Sequence, residues 1–229
     1  MEWLRKISAL IRKERMSRMR TGEQLTIALP KGRILDESVK LLEQAGIACD
    51  QVNENGRKLI FTDQEQSLSF ILGKPMDVPT YVEHGAADIG IVGKDVIEEV
   101  KGEYYELLDM KMGYCKMVLA REKSNETFDI NSVNAVATKY PQITQEYFQE
   151  FGRQVKIIKL NGSVELAPLI GLSDTIADLV STGKTLKENN LEEVSSIMDI
   201  TTRLIANKGS YQLKQNRIGQ LVENLKDLV

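Results

Sequence analysis

The chain has 229 residues, of which 42% are hydrophobic and 28% charged, with a formal net charge of −3 and two cysteines. That length buries a substantial core in one domain or two, and the slight acidity argues against nucleic acid as the main partner while leaving scope for local basic clusters that bind small anions. Cys49 and Cys115 have neither metal-ligand spacing nor the look of a disulfide framework, and no apolar run approaches the roughly 20 residues of a membrane span, so a reduced, cytoplasmic setting is expected.

Residues 1 to 20 carry seven Lys or Arg (Arg5, Lys6, Arg12, Lys13, Arg15, Arg18, Arg20) against Glu2 and Glu14. Trp3, Leu4, Ile7, Leu10 and Ile11 recur at helical spacing, which predicts a basic amphipathic arm. Membrane contact, a partner helix, a targeting peptide and a loosely ordered docking arm are the readings open to it. Met16 and Met19 stand as alternative starts.

Leu25 to Leu29 is a compact β-type run, followed by Pro30, Lys31, Gly32 and Arg33 and then a helix over 34–45 closed by Gly46. Two cations thus stand at the carboxyl end of a strand, the edge at which open α/β sheets bind ligands, so Lys31 and Arg33 are anion-binding candidates. Arg57 repeats the pattern before a strand over 59–62, with 68–72 as its neighbour. Pro75 to Pro79 breaks the chain before a short helix ending near His84 and Gly85. His84, the single histidine, reads as a partner of the helix dipole rather than a base.

A buried-type strand over 88–92 and a helix over 94–100 follow, then strands over 105–109 and 115–120. Cys115 fills a gap in the second of these; a nucleophilic role would need a nearby base. The polar stretch 121–132 is read as a crossing between lobes. Residues 134–137, a helix over 143–151 and 155–160 form a βαβ unit. Asn161 to Ile170 predicts a short helix with Ser163 as N-cap and Glu165 in its first turn, limited by Pro168. Residues 191–201 are expected to be extended, returning to the first lobe, and 205–228 to form one long terminal helix.

The most informative stretch is 176–186, in which apolar residues bracket Asp178 before Ser181, Thr182, Gly183, Lys184 and Thr185. It reads as strand, turn and helix. Such a turn converges backbone N–H groups, and the new helix adds unpaired donors and a positive dipole end, so a phosphate is the expected guest. A Walker A loop needs a glycine where Asp178 stands, so that match fails. A carboxylate beside a phosphate nest suits a ligand with hydroxyls next to its phosphate, such as a ribose phosphate. An ordinary strand-to-helix turn with a Ser or Thr N-cap is the competing reading. Alternation of strands and helices predicts an α/β protein with mainly parallel sheets, in two lobes facing a cleft: 21–110 with 198–229, and 111–197.

Four blocks in order, LTIALPKGRILDES at 25–38, RKLIF at 57–61, DVPTYVEHGAADIGIVGKDV at 77–96 and ELAPLIGLSDTIADLVSTGKTL at 165–186, resemble ATP phosphoribosyltransferase from about Leu25 onward. The resemblance implies a two-lobed fold like type II periplasmic binding proteins with the active site between lobes. It also implies transfer of phosphoribosyl from phosphoribosyl pyrophosphate to the adenine ring of ATP, with Mg²⁺, as the first step of histidine biosynthesis. The short form is implied, since long members continue into a histidine-binding domain. Short-form members work with a paralogue of histidyl-tRNA synthetase, so a homodimer within a hetero-oligomer is expected.

Carried over by residue, Ser181, Thr182, Gly183, Lys184 and Thr185 cradle the 5-phosphate, with Asp178 and Glu165 near the ribose hydroxyls or the magnesium. Lys31, Gly32, Arg33 and Arg57, with Cys115, are the implied ATP set, and Lys31, Arg33 and Arg57 meet the departing pyrophosphate. Residues 1 to 24 have no counterpart in the family pattern. A solute-binding protein for a small anion, or a phosphoribosyltransferase for another base, are the competing functions.

Overall fold

The computed structural model describes residues 24–52, 58–63, 66–124 and 126–229. The basic arm and Arg57 lie outside the described residues. In chain order the strands are β1 (Leu25–Pro30), β2 (Ile60–Asp63), β3 (Leu68–Gly73), β4 (Ile89–Gly93), β5 (Tyr104–Asp109), β6 (Cys115–Glu122), β7 (Ala135–Thr138), β8 (Lys156–Lys159), β9 (Thr175–Val180), β10 (Leu191–Ile200) and β11 (Thr202–Asn207). The α-helices are α1 (Leu35–Gln44), α2 (Val78–Glu83), α3 (Lys94–Val100), α4 (Pro141–Glu150), α5 (Leu166–Leu169), α6 (Lys184–Glu188), α7 (Lys208–Leu213) and α8 (Gln215–Lys226).

The chain divides into two compact units. One takes the described residues up to Ile97, with Lys101–Gly113 and Thr201–Val229; the other takes Glu98–Val100 and Tyr114–Ile200. The polar stretch 121–132 therefore stays inside the second unit and is not a crossing; besides the short excursion of Glu98–Val100, the chain passes between units at Gly113/Tyr114 and Ile200/Thr201.

The first unit holds a six-stranded sheet in the order β2-β3-β1-β4-β11-β5. Strand β1 runs parallel to both neighbours, with Ile27 opposite Phe70 and Ile89. Leu25, Ile27 and Leu29 are fully buried in the core; the period-two alternation of a strand puts these three on one face, where Leu35 and Leu42 of α1 and Ile218, Leu221 and Leu225 of α8 join them. Burying each such aliphatic contributes roughly 1.5–3 kcal/mol, which outweighs the ~1 kcal/mol that Gly219 costs α8 in propensity.

Asp88, 5% exposed, ties three separate segments of this unit. Its carboxylate accepts from the Thr26 amide at 2.7 Å and from Lys214 Nζ at 2.8 and 2.7 Å, while Lys214 also donates to the Gln24 carbonyl at 2.6 Å. Asp88→Ala leaves a half-buried ammonium and a strand amide without their acceptor and is expected to cost about 2 kcal/mol. A urea melt reads this as a lower midpoint, and an unchanged midpoint would show the cluster to be dispensable.

The second unit holds a five-stranded sheet in the order β10-β6-β9-β7-β8. Strands β9, β7 and β8 run parallel, whereas β6 is antiparallel to both β9 and β10. The residues of β9 alternate between two cores: Ile176 and Val180 pack with Val118, Val164, Ala167 and Leu186, and Ala177 packs with Leu119, Val136 and Phe148.

The sheets are thus mixed rather than mainly parallel, with five antiparallel pairings against four parallel ones among the described residues. Each sheet receives a late strand from the 191–207 stretch, and that stretch is where the sequence expectation differs most. Leu191–Ile200 pairs with β6 in the second unit, and Thr202–Asn207 pairs antiparallel with β4 and β5 in the first. The terminal helical segment accordingly begins only at Lys208, where the Asn207 side chain caps it by accepting from the Ser210 amide at 2.9 Å, and it is two helices, α7 and α8, rather than one.

Ser163 is not an N-cap. It sits at φ +47°, and Glu165 takes the cap position of α5. Pro168 lies inside α5 rather than beyond it, because the first helical turn has no use for the amide that proline lacks.

Candidate active site

At the carboxyl edge of β9 the chain turns through Ser181, Thr182 and Gly183 into α6. Gly183 holds the N-cap position at φ +73°, a left-handed conformation open at little cost to glycine. The Lys184 amide approaches Thr182 Oγ1 at 3.4 Å, and no side-chain hydrogen bond caps α6, so the ordinary N-cap reading of this turn does not describe it. Ser181, Thr182 and Thr185 are exposed. Lys184 Nζ stands 3.7 Å from Glu188 Oε1 one turn later. An open cavity of about 490 Å³ abuts the turn, with Val180, Gly183, Leu186, Lys187 and Leu191 among its lining, but neither Asp178 nor Glu165 reaches it.

Asp178 occupies the same face of β9 as Ile176 and Val180, opposite Val118 of β6. Burial is the main influence on its carboxyl and pushes it above the ordinary value of 3.8; the Leu179 amide opposes this, Glu165 adds repulsion, and Lys139 pulls the other way. Asp178, Glu165 and the turn all lie in the second unit. Lys139, at the end of the neighbouring parallel strand β7, is a member that sequence reasoning misses.

A carboxyl whose value rises on folding takes up a proton between its unfolded and folded values. Stability is then greatest below the ordinary value and falls as pH climbs through that window. Asp178→Asn is expected to melt at a higher temperature than wild type at pH 7, with the gain shrinking as pH is lowered toward 4. A variant melting at or below the wild-type temperature at pH 7 would contradict that sign.

In the first unit, β1 ends in the loop Lys31, Gly32, Arg33. The Lys31 amide donates to the Gly73 carbonyl at 2.8 Å and the Leu35 amide to the Gly32 carbonyl at 3.0 Å, which fixes the backbone on either side of Arg33. Arg33 is exposed, and its Nη2 donates to the Gly113 carbonyl at 3.3 Å. Gly113 lies at φ +65°, where a Cβ would stand 2.8 Å from Ile34 and 2.9 Å from Thr202 Oγ1, so only glycine puts its carbonyl there without strain. Arg57 falls outside the described residues. Cys115 belongs to the second unit, with a thiol buried to 2% exposure among Met117, Tyr140, Ile143 and Ile200. His84 is exposed and serves as the C-cap of α2.

Two separately cored α/β units, one with a basic loop at a strand end and the other with a strand, a glycine turn and two carboxylates, define a two-unit α/β protein. Residues 74–227 match the family model described as ATP phosphoribosyltransferase. An ATP phosphoribosyltransferase of Geobacter metallireducens is 51% identical over 206 residues, covering 88% of this chain and 97% of that protein. One of Halalkalibacterium halodurans is 53% identical over 206 residues, covering 90% and 96%. The chain belongs to the ATP phosphoribosyltransferase family.

Among solved structures, the ATP phosphoribosyl transferase (HisG:HisZ) complex from Thermotoga maritima superposes with a TM-score of 0.76 at 36% identity, over 89% of this chain and 97% of that one. The VFT2 domain of Bordetella pertussis BvgS superposes at 0.60 with 10% identity, over 94% and 92%. At that identity the second likeness concerns the fold alone.

Proposed function

We propose that this chain transfers the 5-phosphoribosyl group of phosphoribosyl pyrophosphate to an adenine ring nitrogen of ATP, releasing pyrophosphate, as the first step of histidine biosynthesis. Family membership supports the reaction, and the observation that carries the site is the left-handed Gly183 turn at the carboxyl end of the strand that bears Asp178. The C1–O bond to pyrophosphate breaks and a C1–N bond to adenine forms.

The adenine nitrogen is a weak nucleophile, so the anomeric carbon has to become strongly electrophilic while the diphosphate leaves. Positive charge grows on the ribose ring and negative charge on pyrophosphate, which makes the barrier one of charge and positioning. In this reading the amides of Ser181, Thr182, Gly183, Lys184 and Thr185 hold the 5-phosphate, and Asp178 and Glu165 accept from the ribose hydroxyls and face the developing positive charge. Lys31, Gly32, Arg33 and Arg57 take the ATP phosphates and the outgoing diphosphate. The 111–197 lobe then receives phosphoribosyl pyrophosphate, and 21–110 with 198–229 receives ATP. Cys115 takes no contact in this assignment, because its thiol is in the core.

Among the described residues no group of three or more His, Cys, Asp or Glu could hold a metal ion by itself. Mg²⁺ is commonly bound through one or two carboxylates together with substrate phosphates, and Asp178 with Glu165 fits that donor set. When bound, the ion neutralises charge on the departing diphosphate.

The Thermotoga maritima relative is a complex with HisZ, which supports a regulatory partner here, a paralogue of histidyl-tRNA synthetase, around a homodimer of this chain. No helix among the described residues is long and apolar enough to cross a membrane, and both substrates are cytoplasmic metabolites, so the cytoplasm is the proposed location. The test is phosphoribosyl-ATP formation followed by absorbance for the chain alone, with the regulatory partner, and with added histidine. A solute-binding protein of this fold releases no pyrophosphate, and a transferase for another base turns over with that base and not with ATP; either result replaces the proposal.

A further inference from the structure

The carboxyl edge formed by β8, β7 and β9 carries a charged residue that no part of the assignment above uses. Strands β7 and β9 are parallel with Thr138 opposite Ala177, so the next residues along, Lys139 and Asp178, leave that pair side by side. Thr138 is fully buried, and its hydroxyl donates to the Ala177 carbonyl at 2.7 Å and accepts from the Tyr140 amide at 2.9 Å. Thr144 Oγ1 reaches the same hydroxyl at 3.3 Å, and Pro141 opens α4 immediately afterwards. The backbone before and after Lys139 is therefore fixed, although its side chain is exposed.

Charged groups stand on every element around Asp178: Lys116 and Arg121 on β6, Lys139 after β7, Glu165 at the head of α5, and Lys184 at the head of α6. Glu165 and Lys139 are the two whose fields act on it. Lys184 is oriented toward Glu188, whereas Lys139 makes no hydrogen bond or ion pair among the described residues. Two adjacent carboxylates repel an incoming phosphate, and Lys139 is the cation placed to offset them.

We infer that Lys139 is a substrate-binding residue: its ammonium bridges the Asp178 and Glu165 carboxylates and the phosphate carried on the ribose, securing that end of phosphoribosyl pyrophosphate. The inference rests on the proposed function and assigns the phosphate on the ribose, not the diphosphate, to this lysine. Lysine rather than a neutral side chain is required because the contact joins one anion to two others.

The test is calorimetric titration of the full chain, with Mg²⁺, against phosphoribosyl pyrophosphate, ribose 5-phosphate and inorganic pyrophosphate. Loss of one charge-assisted contact predicts that Lys139→Met weakens the first two by roughly ten- to a hundredfold and leaves pyrophosphate within about twofold, with Lys139→Arg recovering most of the loss and both variants keeping the wild-type melting temperature. Wild-type affinity of Lys139→Met for ribose 5-phosphate overturns the inference. So does weakening confined to pyrophosphate, or a loss in both variants that tracks a lowered melting temperature, which marks a structural role. If the wild-type chain binds no phosphoribosyl pyrophosphate, the proposed function itself fails, and the inference with it.

Discussion

Gly183→Val is expected to weaken phosphoribosyl pyrophosphate binding by roughly two decades without unfolding the protein. Space is not the obstacle, since a Cβ at this position has Val180 as its nearest neighbour at 4.0 Å. Conformation is. A β-branched residue pays roughly 1–3 kcal/mol to hold the left-handed geometry found at φ +73°, so the variant leaves it and the amides of 181–185 no longer converge on one point. Each lost charge-assisted hydrogen bond adds roughly 1.5–3 kcal/mol, against about 1.4 kcal/mol per decade. Titration with phosphoribosyl pyrophosphate checks this, and Gly183→Ala, strained without β-branching, should fall between. Unchanged affinity in Gly183→Val means the turn does not hold the phosphate.

Arg33→Ala is expected to lower turnover by about one to two decades at both substrates saturating, with an unchanged melting temperature. The structural cost is small because Arg33 is exposed and its guanidinium makes one long hydrogen bond, 3.3 Å to the Gly113 carbonyl. That bond aims the side chain more than it stabilises the fold. A guanidinium facing the outgoing diphosphate gains strength as charge develops there, so its removal falls on turnover rather than on ground-state binding. Wild-type turnover in the variant removes Arg33 from the mechanism.

Much of this was legible in the sequence because the relevant signals are local. Leu25 to Leu29 is a short apolar run ended by Pro-Lys-Gly-Arg, and β1 ends at Pro30 with the two cations just beyond it. The expected helix over 94–100 matches α3 residue for residue. Strand direction is not a local property: nothing within 115–122 says that β6 opposes β9, so the mixed sheets were out of reach. Residues 205–207 read as the start of the terminal helix because so short an apolar stretch fits either period; pairing of Thr202–Asn207 on both edges with β4 and β5 decides for strand. The cap residue Asn207 was the available signal that the helix started later. Ser163 looked like a cap from composition, but its left-handed backbone removes it.

Within the candidate site, the turn and Asp178 were readable from their order along the chain, whereas Lys139 was not. It sits 39 residues before Asp178 and becomes its neighbour only through the β7 and β9 register. A lysine between a strand-ending threonine and Tyr-Pro was the sole hint, and it is a weak one.

Soaking or co-crystallising the full chain with phosphoribosyl pyrophosphate and Mg²⁺ tests the central claim most directly. Phosphate density within hydrogen-bonding distance of the amides of 182–185, with the ribose hydroxyls against Asp178 and Glu165, is the predicted result. A well-ordered ligand seated elsewhere, with that turn still bare, would contradict it.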